Sequence, residues 1–321
     1  LLKDCGADDE SSLKRQLTVA ATGHGKTMTP YGPIIQSMVL PSTELPVWEY
    51  INPFAWLYHM CAISSGFANI MRGLCVAGRP LRIVIFGDGM IPGNPFRPEK
   101  SRTLMCLYWC IVDWPQWLLQ RSFAWPVFGL LRESIIMKIK GGLGAIMGMI
   151  LRIFFADVGH SFTRGVAIHM NGFPDDIIVT GIFAGFLADL MGHKEMTNWK
   201  GPNSVHCCLE CGNVVNIRKP KAGEVGIQCF DRSQFRVVST DDIHAIVDEL
   251  RRAKELLDRT GVGKTKFDEL QIRYGINYDP YGLLFDDGLR NLYQPGNHMI
   301  RDWMHTVGQD GIANTHVARL M

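Results

Sequence analysis

The sequence predicts a mixed α/β fold, on three observations. Leu81–Gly89 (LRIVIFGDG) carries a continuous apolar run, Ile83 to Phe86, of the kind that forms a strand buried on both faces. Thr103–Val112 (TLMCLYWCIV) is a second apolar strand, reached through a loop rich in proline and glycine and stopped by Asp113-Trp114-Pro115. A well-marked helix starts at Thr240. Asp241 and Asp242 lie in its first turn, Ile243, Ile246, Val247, Leu250 and Leu257 form one apolar stripe, and Gly261 ends it.

The remaining elements follow the same rules. The stretch to Gln16 is a charged lead-in. Gly23–Thr27, in AATGHGKT, fits a relaxed phosphate loop with Ala20 in the place of the first glycine. Pro30, Gly32 and Pro33 forbid the helix that such a loop requires, so a nucleotide hydrolase is the weakest reading. Ile34–Leu40 reads as a strand, and Asn52-Pro53 opens a helix to about Arg72. Trp125 to Phe155 has helical spacing, divided at Gly141-Gly142. Gly165–Met170 and Ile177–Leu187 are strand candidates. In Gly261–Thr265 (GVGKT) the glycine pattern is a helix stop.

Composition bounds the function. With 33 Lys plus Arg against 31 Asp plus Glu, the net charge is +2, so any contact with nucleic acid must come from local patches. Nine cysteines spread through apolar runs are too sparse for a disulfide scaffold and indicate reduced thiols in an intracellular protein. Charges at Lys138, Lys140 and Arg152 interrupt the longest apolar stretch, so no membrane span is expected. The last residues, NTHVARLM, read as a helix cut midway, and the chain is expected to be a fragment.

Two groups of residues can carry chemistry. Asp88 and Asp189 are each expected just beyond a buried strand, where two carboxylates on one sheet can share divalent ions for phosphoryl transfer. The plainer reading of each is a turn residue or a helix cap. Cys208 and Cys211 form a Cys-x-x-Cys pair, able to hold zinc or to act as a redox pair. Asp302 and His305, at helical spacing i and i+3, are candidate partners, with His206, Cys207 and Cys229 in reserve. Asp302 could equally be an N-cap and His305 a packed histidine. Lys194, Lys200, Arg218, Lys219 and Lys221 are candidate phosphate contacts; the plainer reading of each is a solvated surface residue.

The order strand-Asp88, strand-Asp189, Cys208-x-x-Cys211, Asp302-x-x-His305 resembles the catalytic core of eukaryotic cut-and-paste DDE transposases, particularly the CACTA-like group and its relatives. GDGMIPGNPFRP is similar to the family's first-acid segment, and RDWMHTVGQDGIANTHVARLM to its Asp-x-Met-His segment. The resemblance covers roughly Leu81 to Met321. It implies a ribonuclease H-like mixed sheet with helices, interrupted by a zinc-binding helical insertion. Residues 1–80 would be a lead-in with helix and strand, 81–200 part of the catalytic core, and 201–321 the zinc-bearing insertion.

The same resemblance implies Asp88 and Asp189 as catalytic ligands of Mg²⁺ or Mn²⁺, and Cys208, Cys211, Asp302 and His305 as ligands of a structural Zn²⁺. The partner would be DNA at transposon ends, with a homo-oligomer and a nuclear location among the expectations. One departure stands out: the family's third acid, a Glu beyond the Asp-x-x-His segment, has no candidate in the final residues. A domesticated remnant that binds DNA or protein without catalysis is the alternative expectation.

Overall fold

The computed structural model describes residues 23, 25–42, 44–92, 102–201, 204–206, 208, 210–214 and 232–302. Strands β1 (Ile35–Val39) and β2 (Val47–Ile51) form an antiparallel hairpin. Helix α1 (Pro53–Ile63) starts where the Asn52 side chain accepts the Phe54 and Ala55 amides at 2.9 and 3.0 Å, with Pro53 at its first position. Helix α2 (Ser65–Val76) follows at once. One helix is expected to about Arg72, but there are two. Ser64 is extended and turns its hydroxyl to the Phe67 amide, closing one helix and capping the next.

A five-stranded sheet organises the rest. Its strands are β3 (Leu81–Met90), β4 (Leu104–Ile111), β5 (Val127–Arg132), β8 (Gly181–Ala188) and β9 (Met299–Arg301), in the order β9-β8-β3-β4-β5. β9, β8 and β3 are parallel neighbours, and β4 is antiparallel to both β3 and β5, so β4 alone runs against the others. Helix α3 (Gly142–Leu151) and a small hairpin, β6 (Val166–Ile168) with β7 (Ile177–Val179), lie in the connection from β5 to β8. Helix α4 (Leu190–Thr197) leaves the end of β8. Helices α5 (Thr240–Thr260) and α6 (Lys264–Tyr274) precede β9.

Three expectations need correction. Val127–Arg132, placed in a helical stretch, is a strand; its pairing with Leu104–Tyr108 overrides the local period. Ile177–Leu187 is two strands in different sheets, divided at Thr180, whose carbonyl accepts the Leu81 amide at 2.8 Å. The cap of α5 is Ser239 rather than Thr240, in a reciprocal capping box with Asp242. In keeping with Pro30, Gly32 and Pro33, the chain after Gly23–Thr27 forms the two-residue strand Met28–Thr29, paired with Gly32–Pro33, and not the helix that a phosphate loop needs. The glycine stop of α5 is as expected, with Gly261 left-handed at φ 67°.

The core lies on one face of the sheet. Ile83, Ile85, Leu107, Trp109 and Phe186 are buried there. The Trp109 ring meets Trp56 of α1 and Phe154 edge-on, with both centroid distances 5.5 Å. Such pairs add about 0.5–1.5 kcal/mol each beyond area burial. Trp48 of β2 covers edge strand β5, its indole N–H donating to the Leu130 carbonyl at 3.1 Å. No helix of the described residues is long and apolar enough to cross a membrane.

β8 does not pair evenly with β3. Phe183 lies opposite Ile83, then the register slips by one and Gly185 lies opposite Val84. Gly185 has φ 148°, and an added Cβ would meet the His298 carbonyl at 2.8 Å and Ile300 Cδ1 at 2.8 Å. Gly185→Ala is expected to destabilise the fold by about 1–3 kcal/mol, measured by chemical denaturation. An unchanged midpoint would show that the bulge tolerates a side chain.

Candidate functional site

The carboxyl ends of β3, β8 and β9 lie side by side. Leu187 of β8 is opposite Phe86 of β3, and Asp189 and Asp88 each stand two residues beyond that pair. Ala188 is opposite Arg301, and Asp302 stands one residue beyond, its amide donating to the Ala188 carbonyl at 2.9 Å. Neighbouring strands are about 5 Å apart, and residues in register on parallel strands project to the same face. Asp88 and Asp189 thus stand at the same end of adjacent parallel strands, each two residues past the Phe86–Leu187 pair.

The register slip creates that shared face. Before it, residue numbers on β8 exceed their partners on β3 by 100 (Phe183 and Ile83); after it they exceed them by 101 (Leu187 and Phe86). Continued without the slip, the pairing would set Ala188 beside Asp88 and send Asp189 to the opposite face, since one residue inverts a strand's pattern.

The acids are held differently. Asp88 lies inside β3, opposite Cys106, and not beyond the strand as expected. Gly87 and Gly89 continue the ladder opposite Leu107 and Met105, which carries β3 on to Met90. Phe86 stacks on Tyr108 on the same half-buried face, with centroids 5.9 Å apart. Asp189 is the N-cap of α4: its Oδ1 accepts the Gly192 amide at 2.5 Å. The plainer expectation for it, a helix cap, is therefore realised, and its second oxygen is left out of that bond.

Asp113 provides a contrast at the other end of β3. Burial pushes its carboxyl up, but hydrogen bonds from the Arg82 side chain and amide outweigh this and hold it below the ordinary range. An acid paired in this way is structural.

Further carboxylates surround the edge, and sequence reasoning missed them. Glu195 of α4 retains solvent access but is crowded by the protein. That crowding, then the like charges of Glu133 and Asp189, pushes its carboxyl above the usual range, with Lys194 offsetting part of the effect. Glu133 follows the end of β5. Nothing local in GHKEMTNW marks Glu195, because its neighbours come from distant strands.

The cysteine loop sits beside β9. Cys208 and Cys211 are neighbours, and burial followed by the adjacent Cys208 thiol pushes Cys211 up to about 12. Arg301 Nε donates to Glu210 of this loop at 2.7 Å. Cys208, Cys211 and His206 line a cavity of about 510 Å³ together with Trp199, Glu249 and Tyr274. Asp302 directly follows β9, its amide donating to the Ala188 carbonyl, and the rest of RDWMH lies outside the described residues. His305 lies outside the described residues, as do Cys207, Cys229, Arg218, Lys219 and Lys221. Among the described residues no three His, Cys, Asp or Glu side chains converge where a metal could be held.

Of the basic candidates, Lys200 is already engaged, its ammonium donating to Asn277 Oδ1 at 2.5 Å. Lys194 lies partly buried in α4, with its stem against Gly201. Compared with models of protein families and with curated proteins, the sequence has no match to either.

Burial also depresses three imidazoles: His193, His298 and His244, the last helped by Arg290. Each titrates at lower pH folded than unfolded. The unfolded chain then holds more protons in that window, and stability falls as pH drops below about 6.5. Melting temperature is expected to fall between about pH 7.5 and 5.5, and His193→Gln to lessen the fall. An identical pH slope in that variant would remove His193 from the account.

Proposed function

We propose that the chain is the metal-dependent core of a protein that cuts and rejoins DNA at transposon ends, of the DDE transposase kind. The observation that supports this reading is that Asp88 on β3 and Asp189, the residue just past β8, each stand two residues beyond the paired Phe86 and Leu187. A mixed sheet with one reversed strand is compatible with the ribonuclease H-like fold implied by the family resemblance. The nucleus is the setting, and a homo-oligomer the form, that this reading carries with it.

The donors fit a hard cation. Mg²⁺ or Mn²⁺ is commonly bound through one or two carboxylates, with water and substrate phosphate completing the shell. Bound there, it would supply Lewis-acid activation of water or a 3′-hydroxyl and neutralise charge at the DNA phosphate. Asp88 offers its carboxylate from a rigid strand. Asp189 offers the oxygen that does not cap α4. Glu133 and Glu195 deepen the negative potential, which draws cations in and repels bare DNA phosphate.

The zinc proposal rests on chemistry more than on assembly. Burial beside Cys208 raises the Cys211 thiol, and a nearby cation is what would hold it as a thiolate. Cys208 and Cys211 would hold Zn²⁺, with Asp302 and His305 proposed to complete the set. Lys194 and the basic segment Arg218, Lys219 and Lys221 are the proposed phosphate contacts. A second reading, a non-catalytic remnant that binds DNA or protein, is favoured by the lack of a third converging ligand among the described residues.

Two measurements test these assignments. In the full-length parent, Asp88→Asn is expected to abolish strand transfer while circular dichroism stays unchanged; normal transfer would clear Asp88 of any role. Purified chain is expected to carry about one zinc, lost in Cys208→Ser. Metal content that the substitution leaves unaltered would remove the zinc claim.

A further inference from the structure

His193 is 3% exposed, and it joins the two short elements that flank the second acid. Its Nε2 lies 2.9 Å from the Ile300 carbonyl of β9. A carbonyl oxygen can only accept, so Nε2 carries the proton. Nδ1 is buried without a hydrogen-bond partner. On the other side, the His193 amide closes the first turn of α4 onto the Asp189 carbonyl at 3.1 Å. The same turn contains the Gly192 amide that holds Asp189 Oδ1.

We propose that His193 is a positioning residue for Asp189, fixing the turn that aims its carboxylate by tethering that turn to β9. This rests on the reading of Asp189 as a metal-holding acid. α4 has 8 residues and β9 has 3, and neither is long enough to hold its own geometry. Ile300 pairs with Leu187, two residues before Asp189. The imidazole therefore closes a small ring: strand β8, the Asp189 cap, the first turn of α4, and back through β9. Losing the N–H frees the turn to rotate, and the free carboxylate oxygen moves with it.

The test compares His193→Met, which keeps bulk but has no donor, with His193→Gln, whose amide can reach Ile300. Mn²⁺ affinity of the purified chain is read by electron paramagnetic resonance at neutral pH, alongside metal-free melting. Methionine is expected to weaken Mn²⁺ binding about tenfold, and glutamine to stay within about threefold of the parent, while the two variants melt alike without metal. If the methionine variant does not fold, His193→Asn, with an amide too short to reach Ile300, takes its place.

Equal affinity in the donor-free and glutamine variants, with Asp189→Asn still losing Mn²⁺, overturns the positioning role and leaves the acid assignment standing. Mn²⁺ binding that Asp189→Asn does not change overturns both.

Discussion

Parallel pairing of β3 with β8 is the constraint on which the rest depends. Parallel strands cannot be joined by a tight turn, so the chain must leave the end of β3, cross the molecule and return to the start of β8. The crossover supplies β4, β5, α3 and the β6–β7 hairpin, and with them much of the aromatic packing around Trp109 and Phe154. Strands set this way are buried along their middle, Ile83 to Ile85 in β3 and Gly185 to Phe186 in β8, which explains the apolar runs. The carboxyl end of β3 emerges from cover after Ile85, and Asp88 lies there.

The slip at Phe183–Gly185 makes this edge more than a strand terminus. A sheet fixes faces by parity, and one extra residue resets parity for everything after it. β8 is apolar on both sides of the slip, so its burial does not depend on which parity it takes. Asp189 does depend on it. The glycine demanded by φ 148° is therefore tied to the placement of an acid four residues away.

Much of the architecture was legible in the sequence, and the failures have physical causes. Leu81–Phe86 declared itself because a strand buried on both faces has no amphipathic alternative at that length. Val127–Arg132 did not, because an edge strand takes its identity from its partner and from Trp48 lying across it. Asp88 and Asp189 stood out as acids beside apolar runs, yet their common face came from a slip that no local pattern announces. Glu195 and His193 sit in a polar helical stretch that reads as solvated surface. Their significance comes from Glu133 and Ile300, neighbours that only tertiary structure supplies.

Asp189 serves two masters, and this limits what can replace it. One of its oxygens closes the start of a helix, so a cation proposed at the edge would meet one carboxylate oxygen there instead of a bidentate clamp. Lengthening the side chain by one methylene would displace the capping oxygen and its partner oxygen together. On the proposed reading, a cation held by so few protein donors would be held loosely until a polyanion brought oxygens of its own.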